Sequence, residues 1–77
     1  MKLRNNIRRL RFEKGEMTQQ ELADRIGASR MTVYSIESGK YVPSTLLALK
    51  ISQVFVRPVE EIFFLEDEGN KRGGQKR

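Results

Sequence analysis

The segment QQELADRIGASRMTVYSIESGK, residues 19–40, restricts the fold of this chain more than any other feature. Apolar residues recur at helical spacing on both sides of Gly27, so the segment predicts two short helices joined by a tight turn. The second helix has only Val33 and Ile36, three residues apart, to face a core. Most of its circumference is therefore expected to be exposed and to present polar and aromatic side chains to a partner.

Composition limits what this partner can be. The 77 residues are enough for one domain, since domains usually span about 50 to 250 residues. The chain has no cysteine and no histidine, so it lacks thiolate metal ligands, the usual general base and the commonest transition-metal ligand. We predict that it is not an enzyme and needs no cofactor. Its net charge of +5 favours a polyanionic partner.

The ends of the chain lead to predictions about location and disorder. No apolar run approaches the ~20 residues of a membrane span, and the first residues do not resemble a secretory signal. We expect no membrane association and a cytoplasmic location. Residues 69–77 carry no apolar side chain, so we predict a domain over residues 1–66 and a disordered charged tail over residues 67–77. Two interpretations remain open for the basic residues of this tail, contact with a polyanion or solvation alone. The residues are Lys71, Arg72, Lys76 and Arg77.

Local signals elsewhere predict an all-α fold of five helices. The first helix begins at Asn5 or Asn6 and runs to Lys14, and the spacing of Thr18-Gln19-Gln20-Glu21 matches a capping box at the start of the second. Ser44 is the expected N-cap of the fourth helix, and Pro58 suits the start of a short fifth. The fourth helix has a broad apolar stripe and is expected to be the most buried.

The joint between the second and third helices meets the requirements of a helix-turn-helix. Such a joint needs a small residue where the helices cross, and Ala23 supplies it. It also needs a residue that tolerates positive φ, which is Gly27, and apolar residues that hold the second helix, Val33 and Ile36. The major groove of DNA, about 12 Å wide, accepts one helix of about that diameter.

The stretch MTQQELADRIGASRMTVYSIESGKYVPS resembles the Xre/Cro/cI class of phage-repressor-like helix-turn-helix regulators, and the likeness extends over roughly residues 3–64. It implies a compact repressor-like domain whose second and third helices form the motif. It also implies a sequence-specific transcriptional regulator, most simply a repressor, that binds double-stranded DNA as a homodimer on a palindromic operator. No small-molecule ligand is evident.

The resemblance also implies roles for individual residues. The positions that match base contacts are Arg30, Met31, Thr32, Tyr34 and Ser35. The positions that match contacts to the DNA backbone are Thr18, Gln19, Ser38, Lys40 and Tyr41. Arg11 and Glu37 match a structural ion pair between the first and third helices. Alternatives remain open for some of them, because Arg30 could be a solvated surface charge and Met31 could pack on a neighbour.

Four arginines near the N terminus allow two interpretations, a stripe that binds phosphates or a set of solvated charges. They are Arg4, Arg8, Arg9 and Arg11. The chain also departs from the family pattern at three places, one of which is Val42, where relatives frequently have an asparagine before the proline. Two residues, Glu16 and Met17, stand where relatives have one, so a bulge that carries an acid is expected there. Val56 stands where relatives place Asn or Gly, so we expect the fourth helix to end differently.

The expected dimer interface comes from the two ends of the domain. In small relatives the first residues pair with the segment after the fifth helix as a two-stranded antiparallel ribbon, and both segments alternate suitably here. The residues assigned to the interface are Met1, Leu3, Phe63, Phe64 and Leu65. Phe64 is expected to face outward. The alternative is that both phenylalanines belong to the core of the monomer.

Three other functions remain open on the sequence. A protein of the same class could be the antitoxin partner of a toxin or the controller of a restriction system. A protein-interaction module could use this fold to bridge other factors. The polar and basic outer face around Arg30, Thr32 and Lys40 argues against the module, because an interaction surface more often exposes a contiguous apolar patch.

Overall fold

The computed structural model describes residues 1–67 and contains five helices and two strands. In chain order they are β1 (Lys2–Asn5), α1 (Ile7–Glu13), α2 (Gln19–Ile26), α3 (Arg30–Glu37), α4 (Thr45–Phe55), α5 (Val59–Ile62) and β2 (Phe63–Glu66). The predicted five-helix architecture with a short antiparallel ribbon is confirmed. Of the predicted tail, only Asp67 belongs to the described residues.

Local hydrogen bonds define where three of the helices begin. The Thr18 hydroxyl accepts from the Glu21 amide at 3.0 Å while the Glu21 carboxylate accepts from the Thr18 amide at 2.8 Å, which completes the predicted capping box of α2. Ser29 caps α3 and Ser44 caps α4 through their hydroxyls, each accepting an amide N–H at 3.1 Å. These bonds span three residues, so short sequence patterns suffice to specify them.

The ribbon ties the two ends of the domain together. β1 and β2 are antiparallel, with Leu3 opposite Leu65 and Asn5 opposite Phe63. The Asn5 side chain connects this ribbon to the helices, because it donates to the Ile36 carbonyl at 3.0 Å and accepts from the Ile7 amide at 3.1 Å. The ribbon therefore holds the start of α1 against the end of α3.

The core lies where α2 crosses α3 and α4, beneath α1 and the ribbon. Leu22, Ala23 and Ile26 of α2 are buried, and they pack against the two apolar residues of α3. The other buried residues are Ile7, Leu10, Met17, Val33, Ile36, Ile51, Phe55, Ile62 and Phe63. Because α3 contributes only two of these side chains, the rest of its surface is available to a partner.

α4 differs from its prediction, because it is not the most buried helix. Only Ile51 and Phe55 of its eleven residues are fully buried, against three of the eight residues of α2. Leu46 and Leu49 remain 63% and 51% exposed. The apolar stripe of α4 is wider than the surface that the other elements cover. Part of the stripe therefore flanks the core as an exposed apolar face.

The end of α4 also differs from expectation. Val56 adopts the left-handed conformation, with φ 54° and ψ 48°, and its amide closes the helix on the Ser52 carbonyl. A second non-glycine residue, Glu16, has φ 57° in the loop after α1. That turn sends the following Met17 into the core, where it is only 5% exposed. The extra residue of this loop therefore contributes to packing, and the acid before it remains in solvent.

Within residues 1–67, no helix combines the length and the apolar character that crossing a membrane would require.

Candidate nucleic-acid interface

The outer face of α3 carries the most exposed of the predicted base-contacting residues. Val33 and Ile36 are buried, whereas Arg30 and Met31 of the first turn face solvent. Tyr34 lies one turn further along the same face, and its side chain is 45% exposed. Met31 is 61% exposed, so most of its surface is left uncovered by the other residues of the range 1–67. The helix therefore presents a cation, a thioether and a phenol along one face.

Thr32 and Ser35 lie on the flank of α3 and are half-buried. The Thr32 hydroxyl is within 2.9 Å of the Ser29 hydroxyl, which also accepts the Thr32 amide. This arrangement ties the Thr32 side chain to the cap of the helix. Thr32 and Ser35 are thus less accessible than Arg30, and a base could reach them only along one side of the helix.

The loop after α3 is held against the end of that helix. The Ser35 carbonyl accepts three hydrogen bonds, from the Ser38 hydroxyl at 3.1 Å, the Lys40 amide at 3.0 Å and the Tyr41 amide at 3.2 Å. Gly39 allows this path because its φ is 84°. The exposed side chains of Lys40 and Tyr41 are therefore presented from a backbone that is fixed relative to α3.

The start of α2 lies beside the end of α3. The Gln19 side-chain amide donates to the Glu37 carboxylate at 3.1 Å, which orients this residue across the joint. Because Thr18 and Glu21 satisfy each other's amides, the two remaining first-turn amides, those of Gln19 and Gln20, have no acceptor within the helix. Such amides suit an anionic partner.

Arg11 and Glu37, predicted as a structural ion pair, form a two-pronged contact. Arg11 Nε lies 2.5 Å from Glu37 Oε2, and Arg11 Nη2 donates to Glu37 Oε1 at 3.1 Å. The guanidinium also donates to the Met17 carbonyl at 2.6 Å. The two side chains are only 14% and 9% exposed. This network connects α1, the loop after it and the end of α3.

A cleft of about 360 Å³ opens above this network. Gln19 lines it from α2, Tyr34 and Ser38 line it from the end of α3, and Arg8 lines it from α1. Sequence reasoning grouped Arg8 with three neighbouring arginines, and no local pattern separates the four. Which of the four faces the cleft depends on the orientation of α1, and only the tertiary structure provides that orientation.

The residues predicted for a dimer interface do not share one surface. Residues opposite each other in an antiparallel pair point to the same side, so Leu3, Leu65 and Phe63 share one face of the ribbon. Phe64 lies on the other face with Arg4 and is 41% exposed, whereas Phe63 is 8% exposed and belongs to the core. Met1, 82% exposed, precedes the ribbon.

The face with Leu3 and Leu65 continues into an apolar groove of about 390 Å³. Residues from the ribbon, the loop before α4, α4 and α5 line it: Leu3, Val42, Pro43, Thr45, Ala48, Leu49, Val59 and Phe63. Val42 and Leu49 are 66% and 51% exposed. This groove adjoins the uncovered side of α4 and is separate from the outer face of α3.

Comparison with known proteins agrees with this geometry. A family model described as helix-turn-helix matches residues 7–62, which cover all five helices. The chain belongs to the helix-turn-helix family. The resemblance to Xre/Cro/cI regulators is thereby confirmed, and the motif of this helix-turn-helix protein is α2, the turn at Gly27 and α3.

Curated relatives carry names of the same kind. The chain is 44% identical over 66 residues to the uncharacterised HTH-type transcriptional regulator YgzD of Bacillus subtilis (strain 168), which covers 86% of this chain and 98% of the relative. An uncharacterised HTH-type transcriptional regulator of Methanothermobacter thermautotrophicus is 43% identical over 70 residues, 90% of this chain and all of the relative. One from Archaeoglobus fulgidus is 46% identical over 66 residues, 86% of this chain and 93% of the relative.

Proposed function

We propose that this helix-turn-helix protein is a sequence-specific DNA-binding transcriptional regulator. The observation that carries the proposal is α3, which is held by two buried residues and has its outer face free beside the capped start of α2. The names of the relatives as transcriptional regulators support it. The net charge of +5 favours a polyanion, and the exposed Arg30 and Lys40 place cations at this face.

In this proposal α3 enters the major groove and its first turn contacts base edges. Arg30 carries two parallel N–H donors that suit O6 and N7 of guanine, a contact that contributes about 1–3 kcal/mol of discrimination. Met31 offers apolar contact to a thymine methyl group, and Tyr34 lies one turn further along the groove. Thr32 and Ser35 approach bases from the half-buried flank of the helix.

Contacts to the DNA backbone lie around the C-terminal end of α3. Gln19 and the first amides of α2 approach a phosphate there, Ser38 lies across the same cleft, and Lys40 and Tyr41 approach from the loop that follows. Lys40 and Tyr41 are suited to this role because three hydrogen bonds to the Ser35 carbonyl hold their loop. Such contacts set the register of α3 along the duplex and carry little sequence information.

We also propose that the protein acts as a homodimer on a palindromic operator and represses by occluding the promoter. A domain of this size buries only about 60% of the surface of its unfolded chain, and the apolar groove beside Leu3 and Leu65 offers a second copy additional burial. A two-fold dimer would present two copies of α3 to half-sites about 34 Å apart.

The test is selection from random duplexes, with the selected sites then measured against wild-type protein and Arg30→Ala. We expect a short inverted repeat, with preference lost at one position of each half-site in the variant and a roughly fivefold to 150-fold weaker affinity for each half-site. Arg25→Ala is the matched control, because Arg25 is an exposed arginine of α2 that lines no cleft together with residues of α3.

Uniformly weak binding to all duplexes, unchanged by Arg30→Ala, would contradict the proposal. The protein-interaction alternative would then be favoured, and the apolar groove would be the first surface on which to search for a partner.

A further inference from the structure

Three of the four arginines near the N terminus have a carboxylate partner. Arg4 Nη1 lies 2.7 Å from Glu66 Oε1, and Arg9 Nε lies 3.6 Å from Glu13 Oε2. Arg11 is bound to Glu37. Within residues 1–67, the fourth arginine, Arg8, has no carboxylate oxygen within 4.0 Å. Its exposed guanidinium is therefore free to bind an external anion.

Arg8 occupies a different place from the other three. It lines the cleft of about 360 Å³ together with Gln19, Tyr34 and Ser38, which belong to the proposed DNA-contacting face. The remaining lining residues of this cleft, Arg11 and Glu37, neutralise each other. Arg8 consequently supplies the uncompensated positive charge of the cleft.

Arg8 also reaches the other side of the start of α2. A second, larger cleft of about 760 Å³ includes Arg8, Phe12 and Thr18 among its lining residues. Two residues of α1 line both clefts, Arg8 and the ion-paired Arg11, so Arg8 is the one of the two whose charge is not compensated by a carboxylate of residues 1–67. A phosphate bound at the free first-turn amides of α2 would therefore lie beside the Arg8 side chain.

We propose that Arg8 is a phosphate anchor, which binds the DNA backbone where it passes the start of α2 and thereby holds α1 against the duplex. This inference rests on the proposed function. The guanidinium suits the task because its planar array of donors matches two phosphate oxygens. Arg8 sets the affinity and position of the protein on DNA, and base preference remains with α3.

The experiment measures affinity for the selected duplex across a series of salt concentrations. The slope of log affinity against log salt is negative, and each lost phosphate contact lowers its magnitude by about 0.9. Arg8→Ala is therefore expected to lower it by about 0.9 in a monomer on one half-site and about 1.8 in a dimer. The ranking of base substitutions in the duplex should be unchanged. Arg8→Lys should retain most of the slope, because its ammonium also neutralises a phosphate.

Arg25→Ala serves as the control, since it removes one exposed positive charge outside this cleft. An unchanged slope for Arg8→Ala on a duplex that wild type selects would overturn the phosphate anchor and leave the proposed function intact. An equal loss of slope in both variants would also overturn it, because the effect would then be one of net charge. Failure of wild type to select any duplex would remove the proposed function and the anchor with it.

Discussion

Glu37 is the residue on which three parts of the proposed interface converge. Its carboxylate accepts from the guanidinium of Arg11 and from the side-chain amide of Gln19. Through these contacts a single acid joins α1, the start of α2 and the last residue of α3. An ion pair in this position, with side chains 14% and 9% exposed, is largely shielded from solvent. Removing this pair is therefore expected to lower the free energy of unfolding more than removing a surface pair would.

Glu37→Ala tests this expectation. The variant leaves the Arg11 guanidinium in its shielded position without a counter-charge, so we expect the free energy of unfolding to fall by about 2–4 kcal/mol. Urea unfolding at neutral pH measures it. Glu13→Ala is the control, because Glu13 pairs with Arg9 on the surface of α1 with side chains about half exposed, and its loss should cost about 0.5 kcal/mol or less. Equal effects in the two variants would mean that the Glu37 pair is no stronger than a surface pair.

At the scale of elements, two helices end on a left-handed residue of very different type. α2 ends on Gly27, with φ 72°, where glycine has no steric penalty. α4 ends on Val56, with φ 54°, where a branched side chain crowds the backbone. Val56 is 81% exposed, so its side chain gains almost no burial in return. The end of α4 is therefore a strained position that packing elsewhere imposes.

Val56→Gly should stabilise the protein. Removing the side chain relieves strain of about 1–2 kcal/mol, partly offset by the greater freedom of glycine in the unfolded chain. We expect a net gain of about 1 kcal/mol, seen as a rise in Tm of about 4–8 °C by calorimetry. Val56→Ala is the control, because alanine keeps the Cβ that crowds the left-handed backbone. Val56→Ala should gain less stability than Val56→Gly, and a destabilised Val56→Gly would show that the left-handed turn is not strained.

At the scale of the whole molecule, two separate surfaces are available to partners. The outer face of α3 is polar and basic, whereas the groove beside the ribbon and α4 is apolar. Exposed apolar area of this kind is typical of interaction sites. A second copy that covered the groove would leave both α3 helices free for DNA. We therefore propose that the outer face of α3 binds DNA and that the apolar groove binds a second copy of the chain.

Leu65→Glu tests self-association by placing a charge at the edge of that groove. We expect the particle mass in sedimentation equilibrium to fall from twice the 9.0 kDa of one chain to that of one chain. Affinity for a two-half-site duplex should fall by about 10²-fold or more, because the two half-sites are no longer bound by one particle. Val56→Glu is the control, since Val56 is 81% exposed, Leu65 is 64% exposed, and Val56 lines neither this groove nor the clefts beside α2.

The dimer prediction has two contrary outcomes. Wild-type protein with the mass of one chain at micromolar concentration would contradict the homodimer. A Leu65→Glu variant that stays dimeric would show that the interface lies elsewhere. The outer ribbon face with Phe64 would then be the next surface to test.

The sequence by itself determined the helix starts, the turn of the motif and the family. Thr18, Ser29 and Ser44 each bond an amide three residues away, and Gly27 supplies positive φ at one position. These interactions are local, so a short pattern is sufficient to specify them. The segment from 17 to 44 likewise carries the family resemblance in consecutive residues.

Only the tertiary structure decided which similar residues are covered and which are free. Four arginines near the N terminus look alike in sequence, yet three find carboxylates on α1, α3 and β2, and Arg8 remains available. The leucines of α4 differ from one another in exposure in the same way, and so do the two adjacent phenylalanines. Val56 was expected to avoid the conformation that it adopts. The physical reason is that burial and charge pairing depend on how distant elements cross, and the combined packing energy of these contacts outweighs the preference of any single residue.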